Sequence, residues 1–243
     1  MKCIYRFADR IIEIQSLYPD IHEMCAEYCF DAPCDFSVTT TQADICRERD
    51  QSAQEDVKTG KAIHQFSDSY LETLAVYRKI AERMPEYDTL LFHGSCVAVD
   101  GEGYVFTAKS GTGKSTHTHL WRELLGNRVT MVNDDKPLIR ITDEKAIVYG
   151  TPWDGKHHLS SKIAVPLKAV CILERSEENR IRTITPSEAL PILLQQVYRP
   201  MNAAAMARTL NLIDRLVESV RLYRLGCNMD ISAAELSYNT MKG

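Results

Sequence analysis

The stretch 106-FTAKSGTGKSTHTHLW-121 decides the fold. An apolar strand runs into Ser110-Gly111-Thr112-Gly113-Lys114-Ser115-Thr116, and a helix follows from about Ser115 to Leu125, stopped by Gly126. In that setting successive backbone N–H groups face one way, and the helix adds the positive end of its dipole. Such a loop is built for a phosphate chain. Gly111 and Gly113 let the backbone approach phosphate oxygens, Lys114 reaches the β- and γ-phosphates, and Ser115 offers its hydroxyl to Mg²⁺. The G-x-x-x-x-G-K-[ST] pattern has glycine where this chain has Ala108, and an alanine there demands only that the first turn avoid positive φ. The expected ligands are ATP and Mg²⁺, with residues 110–116 as the binding loop. A surface turn that merely looks alike is the bland alternative, and the strand-to-helix context argues against it.

A magnesium nucleotide site also needs an acid at a strand end. Asp134-Asp135 follows the strand 128-RVTMV-132, which a parallel or mixed sheet sets beside the loop. Neighbouring carboxylates face different ways, so one can hold the metal while the other accepts a proton from an attacking hydroxyl. The alternative is a solvated pair at a loop edge.

Working outward, Thr89–His93 and Cys96–Val99 read as one extended strand, then a turn at 100–103 and a second strand at 104–107. Further strands are predicted at 137–142, 146–150, 168–174, 180–185 and 222–226. Helices are predicted at 186–197, 202–221 and from about Ser232. Strands dominate and crossover helices are few, so the expected fold class is α/β with a mixed-sheet core over residues 89–243. Residues 1–88 read as a small β-rich N-terminal part with a helix at about 69–84 and a polar, exposed segment from Arg47 to Lys61.

The residues His93-Gly94, 103-GYVFTAKSGTGKST-116 and 131-MVNDD-135, in that order and spacing, resemble the bacterial HPr kinase/phosphorylase catalytic domain. That domain belongs to the group sharing the phosphoenolpyruvate carboxykinase nucleotide fold, and the likeness covers roughly residues 89 to 226. It implies a mixed-sheet P-loop core of that type. It also implies a Mg-dependent kinase passing the γ-phosphoryl of ATP to a serine-type hydroxyl on a protein, peptide or small molecule. In that reading Lys114 and Ser115 serve phosphate and metal, Asp134 lies near the metal, and Asp135 is the general base. His93 assists at the reacting phosphate, and Arg199, within 198-YRPMNAA-204, steadies transferred charge. His93 as an ordinary strand histidine and Arg199 as a surface residue are the plain alternatives.

The chain departs from that family at Ala108 and at 149-YGTPWDGKHHLSSK-162, which replaces a glutamate-arginine-glycine loop. The second departure argues against HPr as acceptor. Asp154, Lys156 and His157 are candidates to take over phosphate or metal contacts there, and Trp153 either packs or walls the acceptor. Two other readings stay open: an ATP-binding regulatory or sensor protein without transfer, and a carboxykinase-type enzyme.

With 33 acidic against 29 basic residues the chain is slightly acidic, which argues against nucleic acid as main partner. No apolar run reaches membrane-span length, and the start lacks the hydrophobic block of a signal peptide, so the expected location is cytoplasmic. The eight cysteines are expected to be reduced. The cluster Cys25, Cys29, Cys34, with His22 and Cys46 nearby, has spacings that fit neither paired zinc ligands nor a ferredoxin run. Family likeness implies a homo-oligomer formed through the catalytic domain, with 203–220 as candidate interface; the alternative is that this helix covers a sheet.

Overall fold

The computed structural model describes the whole chain except Thr59, Lys61 and Lys156. The chain divides into two compact units, Met1–Arg83 and Met84–Gly243. The sequence placed that boundary at 88/89; the 3₁₀ turn Met84–Tyr87 goes with the second unit.

In the first unit β1 (Lys2–Phe7) and β2 (Arg10–Gln15) form an antiparallel hairpin. Its two-residue turn, Ala8-Asp9, has positive φ at both positions, the geometry that matches strand twist. After a short α1 (Asp20–Met24), β3 (Phe36–Thr39) adds in parallel to β2. Two long helices complete the unit, α2 (Gln42–Lys58) and α3 (Asp68–Arg83). The expected exposed segment from Arg47 is therefore mostly helix, and the unit is less β-rich than its sequence suggested. α2 has almost no apolar face; ion pairs of Glu48 with Arg78 (2.8 Å) and Asp44 with Lys79 (3.1 Å) hold it to α3 instead. Glu72, fully buried, accepts the backbone N–H groups of Leu17 and Tyr18 at 2.7 and 2.8 Å and the Thr40 hydroxyl. Cys25 is buried, whereas Cys29, Cys34 and Cys46 are exposed. Among the described residues no three His, Cys, Asp or Glu side chains are grouped to hold a metal.

In the second unit the strands are β4 (Thr89–Leu91), β5 (Ser95–Val99), β6 (Glu102–Thr107), β7 (Val129–Asn133), β8 (Leu138–Ile141), β9 (Ala146–Tyr149), β10 (Ala164–Arg175), β11 (Arg180–Thr183) and β12 (Arg221–Cys227). They form a mixed sheet in the order β4-β8-β9-β10-β6-β5-β7, with β12 also on β10 and β11 on β12. The expected single strand 89–99 is two strands in separate parts of this sheet. The break falls at His93-Gly94, whose backbone N–H groups turn to Gln196 O (2.6 Å) and Asp135 O (3.1 Å).

The helices are α4 (Lys114–Leu125), α5 (Pro186–Leu193), α6 (Ala203–Ser219) and α7 (Ile231–Met241). Alternate residues of each central strand feed two cores. Cys96, Ala98, Val105, Val170 and Ile172 pack with α5 and α6, while Val97, Val99, Phe106, Cys171 and Leu173 pack with α4 and α7. A sheet buried on both faces needs such nearly continuous apolar strands. The stripe Leu212, Ile213, Leu216, Val217 of α6 is spent on the sheet, which is the covering role left open above. Among the described residues no helix is long and apolar enough to cross a membrane.

Candidate functional site

Both β6 and β7 run antiparallel to the strand between them, β5, so the two point the same way. β10 and β12 are parallel to β6. The carboxyl ends of β6, β7, β10 and β12 therefore share one edge of the sheet, where ligands of α/β sheets are usually bound. The glycine loop leaves β6 there, and Asp134-Asp135 leaves β7.

The loop turns through Gly111 (φ +78°) and Gly113 (φ +121°), values that L side chains rarely adopt. Ala108 keeps negative φ and packs into the core, so its Cβ costs the loop nothing. Lys114 opens α4, and its ammonium lies 3.5 Å from the Ala108 carbonyl. Burial lowers the lysine's pKa, while the charges of Asp135 and Asp134 pull the other way. Its ammonium thus feels the charge of both acids and is partly stripped of water.

Asp134 is only 5% exposed, and its Oδ1 accepts the Ser95 hydroxyl at 2.7 Å. Ser95 in turn meets Thr118 of α4 (2.9 Å), whose hydroxyl reaches the carbonyls of Lys114 and Ser115. This chain of bonds ties the strand-end acid to the first turn of the loop helix. Ser115 and Asp134 line one cleft of about 290 Å³, together with His157.

Asp135 faces elsewhere. Its Oδ1 is 3.4 Å from His93 Nε2 and its Oδ2 accepts Lys136 Nζ at 2.8 Å. Burial raises its pKa, but the His93 contact and the Lys136 charge outweigh that and hold the carboxyl down at about 2. The other ring nitrogen of His93 meets Gln196 Oε1 at 3.1 Å, and Thr107 binds the His93 carbonyl. Asn133, fully buried, shapes the turn: its Oδ1 accepts the N–H groups of Asp135 and Lys136, and its amide donates to Thr151. Sequence reading assigned no role to Ser95, Asn133, Thr151 or Gln196, although Asn133 and Thr151 stood inside quoted stretches.

The structure thus gathers Lys114, Ser115, Asp134, Asp135 and His93. Among the described residues no hydrogen bond or ion pair joins Arg199 to this group. The bridge Phe92↔Val197 and the Tyr198 N–H to Leu91 O run its segment back along β4, away from His93. It is exposed and, among the described residues, has no ion-pair partner. The 150–162 loop does close on the acids: a Cβ at Gly155 would lie 3.2 Å from that of Asp135. Asp154 is buried and engaged by Ser160 (2.8 Å) and His158 (3.3 Å), and Trp153 packs at 8% exposure rather than forming a wall. Lys156 lies outside the described residues.

Behind the loop, His117 of α4 is buried with Nε2 on Ser237 and no partner for Nδ1. Burial lowers its pKa from 6.5 to about 4. Between those values the unfolded chain binds the extra proton and the folded one does not. The stability from the neutral ring is therefore fully present above pH 6.5 and is lost as pH falls towards 4, by roughly 3 kcal/mol. Denaturant midpoints measured from pH 7 to 4.5 should fall with pH, and a His117→Gln variant should flatten that slope. An equal slope in both proteins would contradict the assignment.

No curated protein matches the chain. A solved structure, the Hpr(Ser) kinase/phosphatase from Coxiella burnetii, is similar at 10% identity and a TM-score of 0.34, over 63% of this chain and 99% of its own. A likeness that weak supports no conclusion about site or reaction. Residues 62–229, well over half of the chain and all of the loop-and-acid edge, match the family described as SynChlorMet cassette protein ScmC, and the chain belongs to that family.

Proposed function

We propose that this protein is a Mg-dependent kinase that moves the γ-phosphoryl of ATP to an alcohol on a protein, peptide or small molecule. The observation that carries the reading is the shared cleft: Ser115, from the glycine loop, and Asp134, from the end of β7, line the same space. A hydroxyl and a carboxylate so placed suit a hard divalent cation with oxygen ligands. The residues present fit the nucleotide as well. Nothing would crowd a Cβ at Gly111, so the loop backbone is open to phosphate oxygens, and Lys114 is a partly desolvated cation with one long contact among the described residues.

Magnesium, when held by Ser115 and Asp134, supplies charge neutralisation at the phosphates. The rest falls to the chain's own groups. Lys114 opposes the negative charge that grows on the transferred group. Asp135 accepts the proton of the acceptor hydroxyl, while His93, supported by Gln196, holds that carboxylate in position. A carboxyl held at about 2 is a weak base, which suits a transfer in which positioning outweighs early deprotonation. The 150–162 loop, against Asp135, is the place for acceptor choice.

The test is incubation with γ-labelled ATP and magnesium alongside extract and candidate peptides. Label on a defined serine or small alcohol supports the kinase. Binding without transfer to any acceptor would favour a nucleotide sensor and overturn the reading.

A further inference from the structure

We infer that the groove on the far side of the glycine loop is a nucleoside subsite, in which Glu177 takes the ribose hydroxyls and Met229 packs on the base. The inference rests on the triphosphate reading of the loop. The sheet order separates two jobs: β7 with its acids lies on one side of β6, while β10 and β12 lie on the other. A ligand whose phosphates sit in the loop with its reacting end towards Asp135 must send its other end over the carboxyl ends of β10 and β12.

A groove of about 660 Å³ lies there, running from Gly111–Gly113 to Arg175–Glu177 and Cys227–Met229. That volume is in the range of small-ligand sites, which are mostly apolar with few polar groups. Its walls are set before any ligand arrives. Arg175 donates to the Gly111 carbonyl at 2.5 Å, fixing the loop tip to the end of β10. Asn228 is spent on the Glu177 carbonyl and the Asp230 N–H, and the Ser176 N–H reaches the Cys227 carbonyl.

What is left unspent is the recognition chemistry. The Glu177 carboxylate makes no hydrogen bond or ion pair among the described residues, and it is exposed on the wall. A lone carboxylate repels phosphate but accepts two neighbouring hydroxyls, which are what a ribose offers. Met229 is 80% exposed beside it, and a flexible thioether packs well on a planar aromatic ring. His117, which also lines the groove, carries the unpaired buried Nδ1.

The experiment compares calorimetric affinities of MgATP, magnesium 2′-deoxyATP and magnesium tripolyphosphate for the full chain and for Glu177→Gln and Met229→Ala, both at exposed positions. The expected result is ATP binding tighter than tripolyphosphate by about tenfold or more, with each variant weakening ATP and leaving tripolyphosphate unchanged. The deficit of 2′-deoxyATP should disappear in Glu177→Gln. Equal affinity of the parent for ATP and tripolyphosphate would overturn the subsite while leaving the loop reading intact. If neither compound binds the parent, the loop reading itself fails and this inference with it.

Discussion

A Lys114→Met variant is expected to lose roughly 10²- to 10³-fold in phosphoryl transfer while melting no lower than the parent. The two effects have one cause. In the free protein the Lys114 ammonium is partly desolvated, which lowers its pKa, and among the described residues its one hydrogen bond is a 3.5 Å contact to the Ala108 carbonyl. Its cost to the folded state is repaid when phosphate oxygens meet it, because a hydrogen bond to a charged group contributes about 1.5–3 kcal/mol. Methionine keeps the length of the stem and removes the charge. Initial rates of label transfer, with a thermal melt of the same preparation, read both quantities. Transfer unchanged in a folded variant would remove Lys114 from the site.

Asp135→Asn is expected to lower transfer by roughly 10²- to 10⁴-fold with ATP affinity kept within a few-fold. Asparagine has the shape of the carboxylate but cannot take a proton. The fold tolerates the exchange, since the turn is held by Asn133 through the backbone N–H groups of Asp135 and Lys136. The His93 and Lys136 contacts keep the parent carboxyl ionised above about pH 2, so any acid limb of the activity profile near neutrality must come from another group. A profile whose acid limb near pH 5–6 vanished in Asp135→Asn would contradict this. A large loss of ATP affinity would instead mean that Asp135, and not only Asp134, holds the metal.

The loop, its helix and the β7 strand were legible because their signals are local. Glycine spacing, a lysine-serine pair opening a helix, and an apolar run ending in two acids each fit within a few residues. The partners that orient these groups were not legible. Gln196 meets His93 from 103 positions away, and Ser95 reaches Asp134 from another strand. No periodicity announces such pairs; the second exists because β5 lies beside β7, and the first because the segment after α5 runs along β4. α2 was missed for a related reason. Its sequence is polar apart from the buried Ile45 and a few small side chains, and ion pairs to α3 help to hold it where an apolar stripe is lacking. Arg199 carried a different lesson: its role came from a motif likeness alone, and its segment pairs with β4 through Phe92 and Val197. The split of residues 89–99 into two strands was hidden because each half is equally apolar, and only the tertiary bonds of His93 and Gly94 mark the break.

The most direct test is calorimetric titration of the purified protein with ATP, and separately with GTP, in millimolar magnesium. The account predicts saturable heat at one site per chain, diminished when magnesium is withheld and when Asp134 is changed to Asn. Absence of heat from both nucleotides would contradict it, because the amide groups of residues 110–116 would then have no phosphate to converge on.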